Sequence, residues 1–243
     1  MSNIQGGIDQ IVTDSLVLYV DAANHKSYIS GSGGDSGSTT YSLVNNLTGS
    51  VSSSVVYNTD NLGSWILGEN GKINCQNPYP ITYTDITFAC WVFVGTMNYS
   101  GAPYGTSNDL VCKWDSGADK VLRLQISGST PSIGYPQISV FSGGGTETNF
   151  VHSERVFKAN WYYIVGTHSN TSQKLGISFN GEPFELTDYS GGIKVLPIQA
   201  KIGGIDAENS WSGKVSCVQL YNKTLSNSEV AQNYNALKYR FNL

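Results

Sequence analysis

Charge is scarce in this sequence. Asp, Glu, Lys and Arg make up 13% of its 243 residues, against about 25% in an average domain. The net charge is −4 and no basic block occurs, so the electrostatic footprint of nucleic-acid binding is missing. Long apolar runs are missing too. None approaches the roughly 20 residues that cross a bilayer as a helix, which excludes membrane insertion by that route. The opening MSNIQGGIDQIVTDS lacks the basic and apolar regions of a secretory signal, so the expectation is a chain made in a cytoplasm and not exported that way. Only three histidines occur, His25, His152 and His168, far apart in the chain. No Ser–His–Asp or Cys–His spacing marks a nucleophile, and each His reads as a surface or hydrogen-bonded residue. Cys75, Cys90, Cys112 and Cys217 form neither CxxC nor a His-paired metal spacing. They read as small buried hydrophobes, with a cross-strand disulfide as the alternative. No internal repeat and no second domain are visible.

What the chain does hold is β-strand signal. Apolar residues reach 40%, enough for a core, and 243 residues suit one large β-sandwich. SLVLYVD (15–21) is apolar on both faces, as in a strand covered on two sides. DITFACWVFV (85–94) is stronger still. Its Ile86, Phe88, Cys90 and Val92 face one way and Ala89, Trp91 and Phe93 the other, which predicts a central strand. Strands are expected at 109–114, 120–126 and 137–141. NWYYIVGTH (160–168) and KLGISF (174–179) predict a hairpin, after which Asn180-Gly181 turns the chain into 182–186. Asn70-Gly71 between 65–67 and 72–75 signals another hairpin. Residues 30–40 and the glycine triplet 143–145 predict loops, since glycine loses most backbone freedom on ordering. One helix is expected near the end. Ser226 lies three before Glu229, the capping-box spacing, and Val230, Tyr234 and Leu237 recur on one helical face. Residues 1–14 lack any strand period and read as an N-terminal arm. Its Ile4, Ile8, Ile11 and Val12 would dock on a partner or a second copy. Residues 15–243 form the domain.

The closing segment carries a family resemblance. Ile202-Gly203-Gly204, Trp211-Ser212-Gly213-Lys214-Val215, Leu220-Tyr221-Asn222-Lys223-Thr224-Leu225-Ser226 and Glu229-Val230 follow, in order, the run that ends laminin-G-like, concanavalin A-like jelly rolls. LVLYVDAANHKSY (16–28) is similar to the opening of such domains in tailed-phage structural proteins, so the resemblance spans about 16–237. It implies an all-β fold: a single concanavalin A-like (laminin-G-like) jelly-roll sandwich with one short C-terminal helix, packed by Val230, Tyr234 and Leu237. It also implies a non-enzymatic structural or adhesion protein of a virion (head decoration, neck or tail appendage), with other virion proteins or copies of itself as partners. The alternative is a carbohydrate-binding module recognising host-surface glycans. Trp65, Trp114, Trp161, Trp211 and 15 Tyr supply aromatic platforms for sugars. A glycanase is the third reading. The E-x-D-x-x-E strand motif that such enzymes use on this fold is missing, and Glu182/Glu185 and Asp206/Glu208 read as solvated loop carboxylates. No cofactor is expected. The resemblance does admit calcium, a hard cation held by loop carboxylates, and Asp21, Asp115, Asp119 and Asp206 are the candidate ligands. Tyr41-Ser42-Leu43 and Leu67-Gly68-Glu69-Asn70-Gly71 stand where related sequences carry further acidic ligands.

Overall fold

The structure is a computed structural model that describes residues 10–29, 37–68, 70–78, 85–97, 107–114, 120–204 and 211–243. Two antiparallel sheets pack face to face. In the first, the strand order is Glu185–Asp188, Lys174–Phe179, Trp161–Ser169, Ile86–Val94, Gly213–Tyr221, Ser64–Leu67 and Val56–Asn58. Leu16–Asp21 also pairs with Gly213–Tyr221. In the second, the order is Glu147–Val151, Ile133–Phe141, Lys120–Thr130, Ser107–Trp114, Ala200–Ile202, Ile73–Cys75, Thr48–Val51 and Thr39–Tyr41, with Val156–Phe157 on Ile133–Phe141.

The central-strand expectation holds. Ile86, Phe88, Cys90 and Val92 enter the core between the sheets, and Ala89 and Trp91 enter a second apolar cluster on the outer face of the first sheet. A strand with period-2 side chains must be apolar throughout when both faces are covered. The helix Asn227–Leu237 supplies much of that cover. Ser226 accepts the Glu229 amide and Glu229 reaches back to the Ser226 amide, completing the capping box. Val230 and Leu237 are buried, and Tyr234 stacks on Trp91 with ring centres 5.5 Å apart. The short helix Lys238–Phe241 adds Phe241, 4.2 Å from the same indole.

The strand Gly213–Tyr221 changes neighbours along one edge. Its first residues pair with Ser64–Leu67 and its later ones with Leu16–Asp21, and the register slips between Val215 and Cys217. Buried Ser216 sits at that slip and donates to the Gly63 carbonyl at 2.8 Å. Arg240 closes the seam. Its guanidinium donates to Ser216 Oγ at 2.8 Å and to both oxygens of Asp21 at 3.0 and 3.1 Å.

Three expectations are corrected here. Asn70-Gly71 does not make a hairpin. The tight turn, closed by the Gly71 amide on the Gly68 carbonyl at 2.9 Å, carries the chain from Ser64–Leu67 in one sheet to Ile73–Cys75 in the other. Trp65, Leu67, Ile73 and Cys75 all fill the inter-sheet core, so the residue pattern of a hairpin and of a sheet crossing is the same. Ile11 and Val12 are not on a free arm. They are buried in the second cluster: the Val12 amide donates to Asn233 Oδ1 at 2.7 Å, and the Val12 carbonyl accepts from the Tyr221 hydroxyl at 3.1 Å. Their apolar side chains fill space between helix and sheet, as partner grooves were expected to offer. Ile4 and Ile8 lie outside the described residues. Thirdly, strands 120–126 and 137–141 run longer, as Lys120–Thr130 and Ile133–Phe141. All four cysteines are buried free thiols, and burial pushes the Cys75 thiol up to about 12.

Candidate functional site

The outer face of the second sheet differs in kind from that of the first. Along Lys120–Thr130, Leu122, Leu124 and Ile126 turn inward, which leaves Arg123, Gln125 and Ser127 outward. On the next strand Ile138 and Val140 turn inward, leaving Gln137 and Ser139 outward. Register aligns these polar positions: Ser139 lies between Arg123 and Asn149, and Gln125 between Gln137 and Asp109. A fixed network results. Gln125 and Gln137 donate their amides to Ser139 Oγ at 2.8 and 3.3 Å, and Ser139 donates to Asn149 Oδ1 at 2.5 Å. Arg123 donates to Glu147 Oε1 at 3.0 Å and approaches Asp109 Oδ1 at 3.7 Å. Gln125, Ser139 and Asp109 are almost wholly buried, whereas Asn149 is exposed and Glu147 partly so. Ser139 holds Asn149 and Arg123 holds Glu147, and such bonds restrict the rotamers of the outer groups.

A second feature is an edge cleft of about 500 Å³ between the Val151–Val156 connection and the turn after Lys174–Phe179, lined by His152, Ser153, Phe179, Asn180, Glu182 and Glu185 among others. The turn is built by Asn180 and Gly181, both at positive φ. A Cβ on Gly181 would lie 2.7 Å from the Tyr234 ring, so glycine is required both for conformation and for the helix to close over the turn. Glu185 begins the edge strand Glu185–Asp188 and accepts from the Ser153 amide at 2.9 Å and from its hydroxyl. Burial alone would raise the Glu185 carboxyl, but the Ser153 bonds and His152 bring it below the ordinary value. A carboxyl held ionised is poorly suited to be a general acid. His152 is 5% exposed and stacks toward Phe179, with ring centres 5.8 Å apart.

The sequence candidates fall elsewhere. Asp21 is buried, held by Arg240 and by the Tyr19 hydroxyl at 3.0 Å, so its carboxylate serves an ion pair and is not open to calcium. Asp115, Asp119 and Asp206 lie outside the described residues. Among the described residues no group of three or more His, Cys, Asp or Glu is placed to hold a metal. Trp65 and Trp211 are fully buried in the inter-sheet core, and Trp161 packs on Phe93 and Phe241, so none of these three is a sugar platform. Sequence reasoning missed the cleft. His152 and Glu185 are 33 positions apart and meet because the end of Glu147–Val151 lies beside the turn that follows Lys174–Phe179. It also missed the polar network, whose signal was the alternation of Arg123, Gln125 and Ser127 with apolar neighbours.

Comparison with solved structures returns jelly-roll binding domains. The binding domain of Paraclostridial Mosquitocidal Protein 1 superposes with a TM-score of 0.66 at 18% identity, over 91% of this chain and 52% of that one. The receptor-binding domain of botulinum neurotoxin type G gives 0.63 at 12%, over 90% and 51%. The binding domain of botulinum neurotoxin DC, solved in complex with SialylT, gives 0.65 at 13%, over 93% and 52%. The chain thus spans about half the length of the structures it matches, and the likeness is one of fold. No curated protein matches it. The profile of the laminin-G type within the concanavalin A-like lectin/glucanases superfamily matches residues 67–231, more than half of the sequence, and the chain belongs to that family.

Proposed function

We propose that this domain is a non-catalytic binding module for glycans, with the outer face of the second sheet as its recognition surface. The observation that carries the reading is the Gln125–Gln137–Ser139–Asn149 network. Sugars are recognised by amide and hydroxyl groups held in fixed orientation, because preorganised partners lose little entropy on binding. Here Ser139 holds Asn149 and Arg123 holds Glu147, which makes Asn149 and Glu147 the outermost contacting groups. Structural neighbours described as binding or receptor-binding domains support a binding role for this fold, and one of them was solved with SialylT bound. A glycan array followed by calorimetry tests the proposal. Asn149→Ala and Glu147→Gln should each weaken the best glycan about tenfold, the equivalent of about 1.4 kcal/mol, with the fold intact. Unchanged affinity in both variants, or glycan release during incubation, would overturn it. A virion appendage is a setting in which such a module would serve adhesion, and co-sedimentation of the chain with purified particles tests that setting.

A further inference from the structure

We propose that the edge cleft at His152 and Glu185 is a second ligand site, one that takes a neutral sugar unit through a hydroxyl bridged between His152 Nε2 and Glu185. This rests on the reading of the domain as a glycan-binding module. The geometry is specific. His152 Nδ1 accepts the Glu154 amide at 3.0 Å, so the proton of the neutral ring is on Nε2. Nε2 lies 4.0 Å from Glu185 Oε2, too far for a direct hydrogen bond. A hydroxyl oxygen about 2.8 Å from each atom closes the gap, with an angle near 90° at the oxygen. It accepts from His152 and donates to Glu185. A hydroxyl does both at once, which neither an ammonium nor a carboxylate can do.

The rest of the lining fits the same guest. Phe179, stacked on Tyr162 with ring centres 5.2 Å apart, presents an apolar wall of the kind that packs against the C–H face of a sugar ring. Asn180 offers an amide and Glu182 a further acceptor. The cleft is large enough for a monosaccharide. Its charge selects among sugars. Glu154, Glu182 and Glu185 line it, with no Lys or Arg among the lining residues, so sialylated, sulfated or phosphorylated sugars meet three carboxylates and are rejected. The polar network on the second sheet differs in holding a cation, Arg123, beside Asp109 and Glu147.

The experiment is two-dimensional NMR of the folded domain titrated with glucose, galactose, mannose and N-acetylglucosamine up to about 50 mM, and with a sialylated trisaccharide. This range reaches the millimolar affinities typical of single sugar units. The expected result is saturable shifts at the Ser153, Asn180 and Glu185 amides with at least one neutral sugar and none with the sialylated one. Glu185→Gln should weaken that binding about tenfold or more. Glu182→Gln, exposed and tolerant of change, should weaken it less. Asn149→Ala should leave it unchanged. Shifts confined to the second-sheet face, abolished by Asn149→Ala, would overturn the cleft while leaving the glycan-binding reading intact. A lack of shifts anywhere would overturn both. Preference of the cleft for the sialylated sugar would overturn the assigned chemistry.

Discussion

The two outer faces of one sandwich were given opposite fates. On the first sheet the outward positions are mostly apolar, and both ends of the described chain are folded over them. On the second sheet many outward positions are amides, hydroxyls and charges, several of them hydrogen-bonded to one another. The inner faces are alike, so the difference lies only in every second residue of each strand. The lesson is that core formation constrains one parity of each strand, and the other parity is left to determine whether a face carries an apolar cover or stays polar.

The largest test of this contrast is removal of residues 222–243. It would uncover Trp91, Tyr163 and Tyr221, each contributing about 1.5–3 kcal/mol when buried, and the truncated chain should fail to show a cooperative urea transition. A transition near that of the full chain would break the comparison. Next is Arg240→Ala. It strands the Asp21 carboxylate at 8% side-chain exposure and should cost about 3–5 kcal/mol, whereas Asp21→Leu combined with Arg240→Met should cost clearly less than the single change. Ile11→Ala should cost at least about 2 kcal/mol by cavity formation, which separates a packed segment from an arm. A smaller effect is expected on acidification. Burial lowers the His152 value below its ordinary 6.5, so the unfolded chain binds that proton more readily. Stability should therefore fall as the pH drops below about 6.5 and level off below the folded-state value. His152→Phe should flatten that limb of a melting-temperature profile. Smallest of all, Asn149→Ala on the polar face should shift stability by no more than about 0.5 kcal/mol.

The same contrast explains what was legible in the sequence. Ile86–Val94 and Trp161–Ser169 stood out because both parities are apolar, and the pairing of Trp161–Ser169 with Lys174–Phe179 followed from the short turn between them. Ser226 and Glu229 fixed the helix start, since a capping box is a local signal. Lys120–Thr130 and Ile133–Phe141 were seen only in part, because Ser127, Gly128, Ser129 and Gly134 look like loop residues when the outward face is polar. The Asn70-Gly71 turn showed where the chain bends but not which sheet it enters, a matter of tertiary packing. The cleft could not be foreseen, as it joins loops from two sheets. Nor could Asp21 be recognised as a structural ion-pair member, since its partner is 219 positions away.

That separation bears on how the domain is made. The links that fasten the cover, Asp21 to Arg240 and Val12 to Asn233, span 219 and 221 positions. During synthesis, a chain that has emerged only to Tyr221 owns every strand of both sheets, yet Trp91 and Tyr163 still face solvent. Closure must wait for residues 222–243 and is then limited by contacts of high sequence separation. Until that moment the nascent domain presents a broad adhesive surface, the condition under which partly folded chains associate with one another or engage chaperones. Slowing elongation across residues 222–243 should therefore increase aggregation more than slowing it across residues 10–21.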